Sequence, residues 1–151
     1  MKNILFLILF FVVTTVFSQE KVNSNLEKPV EFMMIQSPPV YKGCEGFNSV
    51  SSKSKCSNKK LMEHIDKNFD ASVSSTSDLA PGNYEITVIF IVDKQGRVIN
   101  IETKGHDYPS FVNEAIRLIK LVPQYSSPGM QREKVVNVRY TIPILFNVEK
   151  K

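Results

Sequence analysis

The chain has 151 residues, a formal net charge of +4 at pH 7 and 42% hydrophobic residues. This length allows one domain with a core of its own, because domains commonly run about 100–150 residues. A net charge of this size is an ordinary solubility charge, so the composition gives no reason to expect a nucleic acid as partner.

The first residues predict export from the cytoplasm. Lys2 gives a positive start, residues 4–13 are an unbroken apolar run, and small or tolerated residues precede Gln19. This layout is typical of a secretory signal peptide, and the run is shorter than the about 20 apolar residues of a membrane span. We therefore predict a signal peptide at residues 1–18. An uncleaved inner-membrane anchor is the alternative.

Residues 19–55 are predicted to form a polar tether, with at most one short strand, followed by a cysteine loop. Cys44 and Cys56 are the two cysteines of the chain. Because export places them in an oxidising compartment, a disulfide between them is the expected state. Such a bridge stabilises by roughly 3 kcal/mol in the chain-entropy model. A redox or nucleophilic thiol is the alternative, but there is no Cys-x-x-Cys motif.

The first predicted helix follows the cysteine loop. Ser57 is a suitable N-cap, and apolar residues then recur at the 3.6-residue spacing of a helix, opposite a charged face. The apolar residues are Leu61, Met62, Ile65 and Phe69. Residues 70–78 are rich in serine and predict a loop.

Two strands joined by a tight turn come next. Residues 84–92 place apolar side chains on one face, and Ile89 and Ile91 make the other face apolar as well, which is typical of a central strand. The sequence from Asp93 to Gly96 predicts a hairpin turn in which the glycine takes a positive φ. Residues 97–104 form the returning strand.

The second helix is predicted to begin at Pro109, which suits a first helical position, and to end before Pro123. Polar residues are expected on its solvent side. They are Asn113, Glu114, Arg117 and Lys120. The apolar arc comprises Phe111, Val112, Ala115, Ile116, Leu118, Ile119 and Val122.

The last strand is predicted over residues 135–148, where apolar and polar side chains alternate. Pro143 lies inside it, and a proline cannot donate to a strand ladder, so this strand belongs at an edge beside the central strand. The elements assemble as α-β-β-α-β, a fold of the α+β class. We expect a three-stranded antiparallel sheet, in the order second, first and third strand, with both helices on one face.

No residue pattern predicts catalysis, a metal site or a cofactor. His64 and His106 have no partner at the spacing of metal ligands or of a catalytic triad. Asp93 and Asp107 stand alone and suit turns or caps. Surface positions explain both histidines, so the chain is predicted not to be an enzyme.

The predicted edge strand is the feature that suggests binding. Its outer backbone groups would have no partner within the domain, and Pro143 protects one end only. An extended peptide can add to such an edge as a further strand, and two copies of the chain can pair through it. The predicted binding residues are Val135, Val136, Asn137, Val138, Arg139, Tyr140 and Thr141.

From Tyr84 onward the sequence resembles the C-terminal domain of TonB-type energy transducers. The similar segments read YEITVIFIVDKQGRVINIETKG, YPSFVNEAIRLIKLVP and VVNVRYTIPILFNV. The family pattern is an Asp-x-x-Gly-x-Val turn, a helix with a central alanine, a proline after it, and a final apolar-Pro-apolar-x-Phe run. Here these positions are Asp93, Gly96, Val98, Ala115, Pro123 and residues 142–146.

The resemblance implies a periplasmic, non-catalytic domain at residues 56–151 without a cofactor. In that family the domain binds an extended segment of an outer-membrane receptor by strand addition and passes on energy from an inner-membrane motor. If the family's binding strand is mapped onto this sequence, it corresponds to residues 135–141. The expected partner is a TonB-dependent receptor segment or another envelope protein.

Two departures from the family leave a second function open. The predicted signal peptide would be removed, whereas a full transducer keeps its anchor. The tether spans at most roughly 70 Å when fully extended and has no proline-rich repeat. The alternative is therefore an envelope interaction or assembly protein that keeps the fold without receptor binding.

Overall fold

The computed structural model describes residues 27–75, 79–105 and 108–149. The predicted signal peptide, His106 and Asp107 lie outside these ranges. The elements along the chain are β1 (Val30–Glu31), a 3₁₀ turn (Phe32–Met34), α1 (Val50–Asn68), α2 (Ser72–Ser75), β2 (Gly82–Val92), β3 (Val98–Gly105), α3 (Pro109–Lys120), β4 (Gly129–Gln131), β5 (Lys134–Val136) and β6 (Val138–Val148).

The main sheet has four strands in the order β1-β6-β2-β3. The central strand β2 is antiparallel to both neighbours, and its register with β6 runs without a shift from Gly82 opposite Val148 to Val92 opposite Val138. β1 pairs in parallel with the start of β6. The prediction of three strands, all antiparallel, is therefore wrong, because a two-residue strand is too short to show a period in the sequence.

The predicted last strand over residues 135–148 is divided in two. β5 pairs with β4 in a separate two-stranded hairpin, whereas β6 begins at Val138 and joins the main sheet. At the hairpin turn Arg132 and Glu133 have φ values of 47° and 63°, as a type I′ turn requires. The apolar alternation continues across Asn137, so the sequence pattern did not reveal the break.

The first helix begins at Val50 and not after Ser57. Its N-cap is Ser49, whose hydroxyl oxygen accepts a hydrogen bond from the Ser52 N–H at 3.1 Å. Ser57 lies inside α1 and is buried, and its Oγ accepts the Tyr41 N–H at 2.9 Å. The N-cap prediction is wrong because the polar first turns of α1 present no apolar face from which a helix could be recognised.

The core lies on one face of the main sheet, between β2 and β6 on one side and α1 and α3 on the other. Phe111 of α3 stacks on Phe146 of β6, with ring centroids 4.4 Å apart and ring planes at 9°. Both long helices therefore pack on the same face. Side chains with no exposed area include Ile86, Val88, Phe90, Val92, Phe111, Ala115, Leu118, Ile119, Val138 and Phe146.

One residue of α3 departs from its predicted side. Glu114 is only 5% exposed. Its carboxylate accepts the Asp70 N–H at 2.9 Å and two hydrogen bonds from the Arg117 guanidinium at 2.6 and 2.7 Å. Arg117 also donates to the Asn68 carbonyl oxygen at 2.6 Å, so the pair fastens the end of α1 to α3. The guanidinium holds the pKa of the Glu114 carboxyl below its usual range.

The turn between β2 and β3 forms as the sequence predicts. Asp93 is 4% exposed and accepts the N–H groups of Gln95 and Arg97 at 2.9 and 2.8 Å. Gly96 has a φ of 79°, and a Cβ there would lie 2.6 Å from the Tyr125 carbonyl oxygen. The glycine is therefore required both by the turn and by its close contact with the loop after α3.

Candidate functional site

The segment predicted to bind a peptide, residues 135–141, is not one open edge. Its first two residues belong to β5 and pair with β4. Further along, β1 pairs with Val138 and Arg139. The expectation that the whole segment has unpaired outer backbone groups is therefore wrong, because the chain itself occupies much of it. The part of β6 that β1 does not cover begins at Thr141.

The uncovered length of β6 runs from Thr141 to Asn147. The Val30 N–H donates to the Asn137 carbonyl oxygen at 2.9 Å, so this position of the strand directs its backbone groups away from β2. Because the register of β6 with β2 is unshifted, every second residue after Asn137 also directs its backbone N–H and C=O groups away from β2. Pro143 falls in this set, where its missing N–H leaves the ladder with β2 intact. No strand pairs with this length in the ranges described.

A groove follows this uncovered edge. It consists of three adjoining hollows of about 330, 340 and 780 Å³, in order from β1 to α2. Met62 lines the first and second hollows, and Phe69 and Leu145 line the second and third, so the groove is continuous. We call it the edge groove. Its helical wall includes Asn58, Leu61, Met62, Ile65 and Asp66 of α1 together with α2.

The edge groove is apolar in its middle and polar at the α2 end. Met62 is 44% exposed and Leu145 is 65% exposed, on opposite sides of the middle hollow. The α2 end is lined by three serines together with Asn147 and Glu149. Exposed apolar side chains beside unpaired backbone groups are what an extended peptide needs for strand addition.

β1 and the turn after it close the head of the edge groove. The Phe32 ring lies 4.5 Å from the Tyr140 ring, measured between centroids. A carboxylate oxygen of Glu31 lies 3.7 Å from Arg139 Nε. Met33, on the same turn, is 89% exposed. A peptide that added along β6 would therefore meet β1 at one end.

Two sets of contacts outside the groove hold the helical wall, one within the first half of α1 and one at its C-terminal end. The predicted disulfide between Cys44 and Cys56 is present, and Cys44 is fully buried. At the other end, Glu114 and Arg117 bind the backbone where α1 ends. These contacts tie α1 to the loop at Cys44 and to α3, and a peptide bound in the groove would not disturb them.

The opposite edge of the sheet, β3, is less suited to strand addition. Its pairing with β2 shifts between Ile89 and Ile91, and Asn100 has a φ of 50°. A bulge of this kind interrupts the ladder and twists an edge away from a straight partner strand. β6, by contrast, is regular over 11 residues.

Among the residues described, the titratable side chains do not form a second candidate functional site. No group of three or more His, Cys, Asp or Glu side chains there could hold a metal ion. His64 Nδ1 lies 3.4 Å from the side-chain amide of Asn68. Burial raises the pKa of the Tyr125 and Tyr140 hydroxyls, so both stay protonated at neutral pH.

The predicted signal peptide or anchor, residues 1–18, lies outside the described residues. Among residues 27–75, 79–105 and 108–149, no helix has the length and apolar character needed to cross a bilayer.

Sequence reasoning missed the helical wall of the edge groove. The helical period predicts Met62 on the buried arc of α1, but the residue faces the groove. One signal was available: Leu145 is apolar at an outward position of β6, where alternation calls for a polar residue. A single exposed apolar residue is common on protein surfaces, so this signal becomes informative only together with the exposed Met62 across the groove.

The comparison with known proteins gave one match. Residues 85–148 match the family model described as Gram-negative bacterial TonB protein C-terminal. No curated protein and no solved structure matches the chain significantly. The matched range runs from within β2 to the end of β6 and includes the whole uncovered edge, whereas β1, the disulfide and α1 precede it. The family is one of envelope energy transducers, and residues 85–148 form a TonB C-terminal-like domain.

Proposed function

We propose that this protein is a non-catalytic periplasmic module that binds an extended segment of an outer-membrane receptor by strand addition, in support of energy-dependent transport across the outer membrane. The observation that carries the proposal is the uncovered edge of β6, which lies beside a continuous groove with exposed apolar side chains. The family match supports it, since TonB C-terminal domains act on outer-membrane receptors.

The geometry suggests how a peptide would be held. Its backbone would pair with the outward N–H and C=O groups of β6 from Thr141 to Asn147, which supplies affinity without regard to sequence. Every second side chain would face α1 and contact Met62, Ile65 and Phe69. The preferred segment therefore has apolar residues at alternate positions.

The same geometry suits a peptide under tension. β6 is paired with β2 at every position from Val138 to Val148. A pull along the added strand would load this whole register in shear, so many hydrogen bonds would have to break together. Hydrogen bonds that are loaded together in shear resist force better than hydrogen bonds that open one after another from one end.

A second candidate is an envelope interaction or assembly protein that does not bind receptors. One observation favours it: β1 already occupies the head of the edge, so part of the edge serves the domain itself. Such a protein would use the remaining edge for another envelope protein or for a second copy of the chain.

An NMR titration separates the two candidates. The isotope-labelled protein is titrated with synthetic N-terminal segments of outer-membrane receptors from the same cell, and with scrambled versions of each. We expect amide shifts concentrated in residues 141–147 and in the wall of α1. Shifts confined to β3, or no shift with any receptor segment, would contradict receptor binding and leave the second candidate.

A pair of variants tests strand addition itself. Leu145→Pro removes an outward N–H as well as the exposed side chain, whereas Leu145→Ala removes the side chain alone. Because Pro143 already shows that an outward position tolerates proline, both variants should fold. Strand addition predicts that Leu145→Pro weakens peptide binding clearly more than Leu145→Ala, and equal effects would contradict it.

A further inference from the structure

The net positive charge of the chain is concentrated in one stretch. Residues 42–60 contain five lysines and one glutamate, so they alone account for the net charge of +4 of the whole chain. Acidic and basic residues balance in the remainder. The five lysines are Lys42, Lys53, Lys55, Lys59 and Lys60.

The structure brings three of these lysines around one hollow. Lys55, Lys59 and Lys60 line a hollow of about 460 Å³ on the outer side of α1, together with Phe47 and the disulfide-bonded Cys56. Ser52 and Glu63 complete the lining, so the lysines outnumber the acidic residue three to one. The described ranges contain one ion pair of these lysines with an acidic residue, from Lys59 to a Glu63 carboxylate oxygen at 3.7 Å.

One exposed apolar side chain lies beside the lysines. Phe47 lines the same hollow and is 47% exposed. It lies between Cys44 and Cys56 and two residues before the N-cap Ser49, so covalent and capping contacts restrain its backbone. The local structure therefore holds Phe47 at this surface.

We infer that this surface docks on a bilayer that carries anionic lipids. We call it the lysine face and define it as Phe47, Lys55, Lys59 and Lys60. Clustered lysines are attracted to an anionic membrane surface, and aromatic and aliphatic side chains between them bury in the boundary between headgroups and acyl chains. An acidic protein would use the charges but would have no need of the exposed Phe47 ring.

Docking at the lysine face leaves the edge groove free. The residues that line the hollow on the outer side of α1 do not overlap with those that line the edge groove. Bilayer contact would hold the domain at a membrane surface with the uncovered length of β6 still open. The inference stands on different residues from the proposed peptide binding and does not depend on it.

A single fluorescent reporter tests the inference. The chain contains no tryptophan, so Phe47→Trp introduces the one indole of the protein. The protein is expressed with its own N-terminus, purified in the form that the cell retains, and mixed with vesicles of phosphatidylcholine with or without phosphatidylglycerol. We expect a blue shift of the emission, and quenching by brominated acyl chains, with the anionic vesicles only. A reporter placed in the edge groove by Leu145→Trp should show neither.

Matched charge reversals complete the test. Lys55→Glu with Lys59→Glu should lower the affinity for anionic vesicles roughly tenfold or more, since each lysine near such a surface contributes on the order of a fivefold gain. Lys104→Glu with Lys120→Glu changes the net charge equally at exposed sites elsewhere and should have a much smaller effect. No blue shift at position 47, or equal losses with the two pairs, would overturn the inference. Circular dichroism checks that each variant is folded.

Discussion

The Phe32 ring packs against the Tyr140 ring at 4.5 Å, and this contact joins the N-terminal segment of the domain to the strand that borders the edge groove. Residue 32 directly follows β1, whose two residues pair with the start of β6. A segment of the domain itself, β1, therefore covers part of the β6 edge. This segment lies outside the range that matches the TonB C-terminal family.

Phe32→Ser should release β1 from β6. The ring is half-buried, so its loss removes about 1–2 kcal/mol of apolar burial while the core behind Tyr140 stays in place. We expect faster hydrogen exchange at the Val30 and Arg139 amides, and tighter binding of any peptide long enough to reach Arg139. Met33→Ser is the matched control, because Met33 is 89% exposed. Equal exchange rates in the two variants would show that the ring does not hold β1.

Removal of the disulfide should weaken the whole domain. In Cys44→Ser with Cys56→Ser, the unfolded chain regains the freedom of the closed loop, and we expect the free energy of unfolding to fall by about 2–3 kcal/mol. Urea denaturation measures this change. Reduction of the wild type with a thiol should produce a similar loss and should leave the double variant unaffected. A wild type whose midpoint does not respond to reductant would contradict the prediction.

Glu114→Gln should destabilise the domain at neutral pH. The charged hydrogen bonds to Arg117 weaken and the side chain remains buried, so we expect a loss of about 1–2 kcal/mol after allowance for the half-exposed guanidinium. Thermal or urea unfolding measures it. Glu63→Gln on the exposed face of α1 is the control and should change stability by less than about 0.5 kcal/mol.

The effect of Glu114→Gln should depend on pH in one direction. Folding lowers the pKa of Glu114, so its ionised form stabilises the fold above the unfolded pKa of about 4.3. That contribution is lost as the pH falls through the lowered pKa of the folded state. Between pH 7 and pH 3 the wild type should therefore lose more stability than the variant. A constant difference across this range would assign the effect to packing instead of charge.

Gly96→Ala should destabilise through steric contact and backbone strain. The new Cβ would lie 2.6 Å from the Tyr125 carbonyl oxygen at a φ of 79°, and we expect a loss of about 1–3 kcal/mol. Gly46→Ala is the matched control, because nothing lies within 4 Å of a Cβ there. The melting temperatures of the two variants measure the difference, and an equal small decrease in both would contradict the role assigned to Gly96.

Local patterns were sufficient for several elements of the fold. The central strand, the Asp93–Gly96 turn and the start of α3 at Pro109 follow from alternation, turn residues and a helix-start signal, all of which act over a few neighbouring residues. The pairing of Cys44 with Cys56 follows from cysteine count and from the predicted oxidising compartment. The resemblance to TonB C-terminal domains rests on the same short-range motifs, and the family match confirms it.

Only the tertiary structure decided which groups are covered. Glu114 is polar by type, but Arg117 and the Asp70 N–H satisfy its carboxylate, so it can be buried. β1 has no period that could be recognised, and it forms because β6 offers it unpaired backbone groups. The edge groove arises where α1, held by the disulfide and by Arg117, lies beside an outward-facing strand edge. Such features depend on contacts between residues far apart in the chain, and local sequence patterns do not reveal which distant residues will meet.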